Sequence, residues 1–219
     1  MMDEEGSTPN ANRKRSYSGG YMKVGNEGED VVLRWLRNLP SVASVEDLRE
    51  IEEWQRRHVD FRVTMKDGRV ILFEVKTDNH LDVTGNWLWE FNRIYLTLPI
   101  NEAFKLGWSV TSEAEILIFY ARTTAIIHVV KMMEYRLGFR EACANGDCEW
   151  GIVHTDQIKM THNAYFPDSY IKGKPSYRTH SAPLPNPFSA TADVGNPVST
   201  SKPESGTATI IDLKCHTRR

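Results

Sequence analysis

Two carboxylates and an ammonium, Asp60, Glu74 and Lys76, fall within one short segment, "DFRVTMKDGRVILFEVK" (60–76). If these side chains converge, they suit hydrolysis at phosphorus. A hard divalent ion such as Mg²⁺ takes oxygen ligands and commonly uses one or two carboxylates plus substrate phosphate. A lysine beside the pair then positions or deprotonates a water, or stabilises charge on the phosphate. Without a cation or a shared proton, two opposed carboxylates on paired strands repel.

Convergence depends on register. Val59 to Thr64 and Val70 to Lys76 read as strands, and Lys66-Asp67-Gly68 fits a three-residue loop closed by a glycine at positive φ. That loop sets Met65 opposite Arg69 and Asp60 opposite Glu74. A two-residue Asp67-Gly68 turn would pair Asp60 with Val75 and send the acids to opposite faces. The apolar pattern selects the longer loop, because Phe61, Val63, Ile71, Phe73 and Val75 then share one face. Asp60, Arg62, Thr64, Leu72, Glu74 and Lys76 share the other. Directly opposed residues have Cβ atoms about 5 Å apart, so the acids meet, with Lys76 two residues further along.

An acid, a gap of ten to twenty residues, then Glu-x-Lys in an apolar strand resembles the PD-(D/E)xK nuclease superfamily. Here the motif stands as Val59-Asp60 and Glu74-Val75-Lys76, without the proline of the name. "EVKTDNHLDVTGNWLWEF" and "GWSVTSEAEILIFY" extend the likeness to nuclease-like proteins of phages and bacteria, over roughly residues 24 to 130. The resemblance implies a restriction-endonuclease-like α/β core, a mixed central β-sheet flanked by helices. It implies DNA as partner and Mg²⁺ (or Mn²⁺) held by Asp60 and Glu74, with Lys76 acting on the water. Members commonly add a glutamate from the preceding helix. Glu29 shares the inward face of Val32, Leu33 and Leu36, whereas Glu27 is rotated by about 200° from it; Glu29 is the expected fourth residue, the alternative being an acid placed in the first turn by the helix dipole. Thr77 and Asp78 lie at the strand end, beside the site or simply closing the strand. Glu90 is a candidate supporting acid.

The surrounding elements must position these groups. "GEDVVLRWLRNL" has helical apolar spacing. "SVEDLREIEEWQRR" has Ser44 and Asp47 at capping-box spacing, a weak helix signal because the box calls for Glu or Gln. Asn86 to Tyr95 alternates as a strand, with Trp87, Trp89 and Phe91 on one face. "ILIFYARTTAIIHVV" reads as two strands about Arg122-Thr123, "KMMEYRLGFREACAN" as a helix, and "GIVH" as a strand closing the sheet. Residues 1–20 are expected to be a disordered arm, 21–166 the domain, and 167–219 a flexible Pro/Ser/Thr-rich tail. Ile210-Ile211-Asp212-Leu213 in that tail is either a docking stretch for a protein partner or a chance cluster.

Composition bounds the remaining readings. The 219 residues carry a net charge of −2, distributed as zero over 1–20, −5 over 21–166 and +3 over 167–219. An acidic domain argues against coating nucleic acid by bulk charge, though not against an acidic site offset by metal. No apolar run reaches membrane-span length and the start, MMDEEGSTPN, is unlike a signal peptide. With Cys143, Cys148 and Cys215 forming no dense framework, a cytoplasmic protein is expected. Cys143 and Cys148 lack the second close pair that a zinc site prefers, so they read as free cysteines. There is no Walker A loop, dinucleotide fingerprint or Gly-x-Ser-x-Gly elbow. Trp87 and Trp89 read as core rather than as base-stacking faces, and Arg13 to Arg15 with Arg218-Arg219 as solvated charge. A duplex offers two strands to cut, so a homodimer is one expected arrangement. The alternatives are a non-catalytic nucleic-acid- or partner-binding protein on the same fold, a scaffold module, and a two-carboxylate glycosidase, whose chemistry the lysine suits poorly.

Overall fold

The computed structural model describes residues 21–156 and 159–183. Its first helix, α1 (Tyr21–Arg37), buries Val32, Leu33 and Leu36 along one face. The chain then enters β1 (Val42–Asp47), and only afterwards a five-residue helix, α2 (Glu52–Arg56). The helix suggested by Ser44 and Asp47 is therefore corrected: Ser44 lies in a strand opposite Thr64. Val42 and Val45 pack on the cluster of Val63 and Phe61, and strand pairing with that burial outweighs a cap lacking its glutamate.

The hairpin follows, β2 (Phe61–Met65) and β3 (Val70–Asp78), with Phe61 opposite Phe73 and Val63 opposite Ile71. Gly68 takes φ +86 and its N–H reaches Met65 O at 2.9 Å, while Met65 N–H reaches Arg69 O at 2.8 Å. This is the three-residue loop and the register read from the apolar pattern. Phe61, Val63, Phe73 and Val75 are buried on the face against α1.

Next come α3 (Leu81–Thr84), β4 (Asn86–Tyr95), α4 (Ile100–Ala103), β5 (Phe104–Leu106) and α5 (Trp108–Thr111). The chain returns through β6 (Ile116–Ala121), β7 (Ile126–Lys131) and α6 (Met132–Asn145). It ends, within the described residues, with β8 (Glu149–Asp156), β9 (Lys159–Pro167), α7 (Ser169–Lys172) and β10 (Arg178–Ser181). Two sheets result. The larger is mixed, in the order β1-β2-β3-β6-β7-β10, with β3 and β6 parallel and the other neighbours antiparallel. The smaller is antiparallel, in the order β5-β4-β9-β8. A parallel pair needs a long crossover, and the segment from α3 to α5 supplies it.

β6 is buried along its whole length because apolar clusters cover both faces of the larger sheet. One includes Val32, Phe61, Val75 and Ile118; the other includes Trp87, Leu117, Phe119 and Tyr135. Glu74 and Lys76 lie opposite Leu117 and Phe119 and so share their face. The fold is the expected mixed α/β arrangement, a mixed central sheet flanked by helices.

Three further expectations need correction. "GIVH" lies in β8, at the edge of the smaller sheet; the larger sheet is closed by β10 on β7. Residues 168–183, assigned by composition to the tail, thus hold a helix and a strand. β10 left no signal because it pairs through its backbone while its side chains are largely exposed. Phe91 does not share the burial of Trp87 and Trp89: a β-bulge between Glu90 and Asn92 resets the alternation, leaving Phe91 41% exposed and burying Asn92. Residues 1–20 and Ile210 to Leu213 lie outside the described residues. Among the described residues, no helix is long and apolar enough to cross a membrane.

Candidate active site

The arrangement of the two acids begins with a departure from the ladder. Asp60 lies just before β2, and its backbone N–H donates to Phe73 O at 2.8 Å. Its carboxylate Oδ2 accepts the Val75 N–H at 2.7 Å, taking a donor that a strand carbonyl would otherwise satisfy. That bond holds the Asp60 carboxylate against the strand that carries Glu74. Glu74 is 1% exposed. Its Oε1 is ion-paired with Lys76 Nζ, and its Oε2 is buried with no hydrogen-bond partner. Lys76 Nζ also lies 5.0 Å from the ring centroid of Trp108, at the start of α5.

The electrostatics follow from this crowding. Burial, and then the Glu74 charge, push the Asp60 carboxyl up to about 7 from an ordinary 3.8. Burial and then Asp60 raise Glu29 as well, against the pull of Lys76 and Arg49. Burial alone would lower the Lys76 ammonium, but Glu74 and Asp60 outweigh it and hold its pKa above the usual lysine value. Lys76 is therefore a cation here, paired with Glu74.

Glu29 reaches this neighbourhood because α1 approaches β3 closely. At Gly28 a Cβ would lie 1.9 Å from Thr77 Oγ1, so only glycine permits the contact. Thr77 Oγ1 donates to Gly25 O at 3.3 Å. Glu29 Oε2 lies 3.3 Å from Arg49 Nη1, and Arg49 is also paired with Asp47 (2.6 Å) and Asp30 (3.0 Å). Glu27 points elsewhere, pairing with Arg122 at 3.1 Å on the surface. Asp78 ends β3, its Oδ1 accepting the Leu81 N–H at 3.0 Å where α3 begins. Glu90 pairs with Arg93 Nε at 2.7 Å and accepts the Trp108 N–H at 3.4 Å.

Four residues near the acids were not singled out in the sequence: Arg49, His58, Arg93 and Trp108. His58 takes φ +51, and its carbonyl accepts Ser112 Oγ at 2.8 Å, in the turn that leads the chain into Asp60. Burial, with Lys76 and Arg93, lowers its imidazole to about 4, so it is neutral at pH 7. The Arg93 charge acts on both His58 and Lys76. Only tertiary folding brings these four here; His58 alone had a local signal, standing two residues before Asp60.

The donor set suits a hard cation. The Asp60 and Glu74 carboxylates lie close enough for one to raise the other, and one buried carboxylate oxygen lacks a partner. Among the described residues no three of His, Cys, Asp and Glu gather as metal ligands.

No family model and no curated protein sequence matches the chain. Among solved structures it is similar to a bacterial homing endonuclease, at 13% identity and a TM-score of 0.38, over 52% of this chain and 70% of that one.

Proposed function

We propose that this chain is a Mg²⁺-dependent endonuclease that hydrolyses phosphodiester bonds in DNA, with Asp60, Glu74 and Lys76 as its catalytic centre and Glu29 beside them. The supporting observation is the buried acid pair. Asp60 is held toward β3 by the Val75 N–H, and Glu74 Oε2 has no partner. Such a pair costs stability unless a cation or a proton sits between its members. The likeness of Val59-Asp60 and Glu74-Val75-Lys76 to the PD-(D/E)xK pattern points the same way.

Asp60 and Glu74 would hold the ion, which supplies Lewis-acid polarisation of the phosphate and a more acidic water. The chain's own groups do the rest. Lys76, wedged between Glu74 and the Trp108 ring, presents a positive charge to the non-bridging phosphate oxygens. Glu29, already raised toward protonation, sits on the α1 side of the pair. Arg93, tethered to Glu90, brackets the Lys76 side.

The test is incubation of the full chain with labelled single-stranded, duplex, flap and four-way-junction DNA, with Mg²⁺ or with a chelator. Cutting that needs the metal is the expected result and names the preferred structure. Binding without cutting on every substrate would instead establish the non-catalytic reading.

A further inference from the structure

Cys143 lies in the last turn of α6 and Cys148 one residue before β8. Both are free and half-buried, and their Sγ atoms are 2.8 Å apart. The turn between them is well tied. Gly146 takes φ +79 at the helix end, its N–H reaching Cys143 O at 3.1 Å and that of Asp147 reaching Ala142 O at 2.9 Å. The Tyr170 hydroxyl on α7 donates to Asp147 Oδ2 and accepts from Asn145 Nδ2, the latter at 2.9 Å. A disulfide has an S–S length of about 2.05 Å, so the sulfurs need to move by less than about 1 Å.

We propose that Cys143 and Cys148 form a redox-active dithiol that closes to an intramolecular disulfide by exchange with a low-molecular-weight disulfide. The thiolate of one cysteine attacks one sulfur of the small disulfide, breaking its S–S bond and releasing one thiolate, which takes up a proton. The second cysteine then loses its proton and attacks the first one's Sγ, displacing the second small thiolate, which is protonated in turn. Two protein thiols are oxidised and one small disulfide is reduced to two thiols. Burial and the Cys143 sulfur raise the Cys148 thiol, so mildly alkaline pH favours the exchange. A metal reading is weaker, because no third ligand joins the pair among the described residues.

The bond has a structural consequence. β8 is an edge strand, paired with β9 alone, and its Trp150 and Ile152 are exposed. Tying its start to α6, which packs on the smaller sheet through Phe139 and Trp89, restrains that edge from opening.

The test uses the full chain carrying Cys215→Ser, reduced and then equilibrated with oxidised glutathione at mildly alkaline pH. Alkylation and peptide mapping then locate the sulfurs. The expected product is a Cys143–Cys148 disulfide, in about tenfold excess over glutathione adducts at either position, because proximity gives the second thiol a high effective concentration. Amide exchange over residues 149–153 should slow by about tenfold on oxidation. Free thiols at both positions would overturn the proposal, as would stable glutathione adducts. The Cys143→Ser variant, which can form only the adduct on Cys148, provides the reference for its mass and yield.

Discussion

The Asp60 carboxylate accepts the Val75 N–H at 2.7 Å, and Glu74, the residue before Val75, is almost fully buried. One acid is thus fixed by the backbone of the strand that carries the other. Raised from 3.8 to about 7, Asp60 holds its proton more tightly in the folded chain than in the unfolded one. Its stabilising contribution is full below about pH 4 and is lost as pH rises through about 7. Metal-free protein should therefore lose stability as pH rises between those limits. Asp60→Asn keeps an oxygen for the Val75 N–H and removes the charge, so it should flatten that slope. Urea denaturation of both proteins at several pH values checks this; equal slopes would place the proton elsewhere.

The same pair predicts a response to metal. At pH 8, Mg²⁺ at about a hundredfold excess over its Kd should stabilise the wild type by about 2.7 kcal/mol. It should leave Asp60→Asn nearly unchanged. Thermal melts with and without Mg²⁺ measure the difference.

Gly28→Ala reverses the usual helix rule. Alanine ordinarily stabilises a helix interior by about 1 kcal/mol over glycine. Here the new Cβ meets Thr77 Oγ1 at 1.9 Å and forces α1 away from β3. The expected cost is about 1–3 kcal/mol, with a lowered cleavage rate as Glu29 moves outward. Gly25→Ala, with open space around its Cβ position, is the matched control and should be neutral or stabilising.

Arg93→Ala should weaken DNA binding and reduce the dependence of log Kd on log salt by about one phosphate contact. Glu90 tethers its Nε, and its charge already acts on Lys76 and His58. Fold stability should fall as well, because the Arg93 and Glu90 side chains are only 24% and 13% exposed and the Glu90 charge loses its partner, so the salt slope rather than the affinity is the readout. An unchanged salt slope would remove Arg93 from the DNA path.

What was legible in the sequence was local. The three-residue loop and the apolar face from Phe61 to Val75 set the hairpin register and put Glu74 and Lys76 on one face, whereas Asp60, expected opposite Glu74, leaves the ladder with its N–H on Phe73 O and its carboxylate on the Val75 N–H. Helical spacing turned Glu29, rather than Glu27, toward the acids. What stayed hidden depends on contacts far apart along the chain. Arg93 and Trp108 approach Lys76 only after the crossover has folded. The bulge at Phe91 is a one-residue event that alternation cannot foresee, and the exposed side chains of β10 carry no pattern. Ser44 looked like a cap until a strand partner was available to it.

The most direct test of the proposed chemistry is the single-turnover cleavage rate of the preferred DNA with saturating Mg²⁺, for wild type, Glu74→Gln and Lys76→Ala. Glu74→Gln removes the buried charge with little change of shape, and Lys76→Ala removes the ammonium. Losses of about 10²-fold or more in both variants, with folding intact, are the expected result. Cleavage at the wild-type rate in either variant would contradict the assignment of this site.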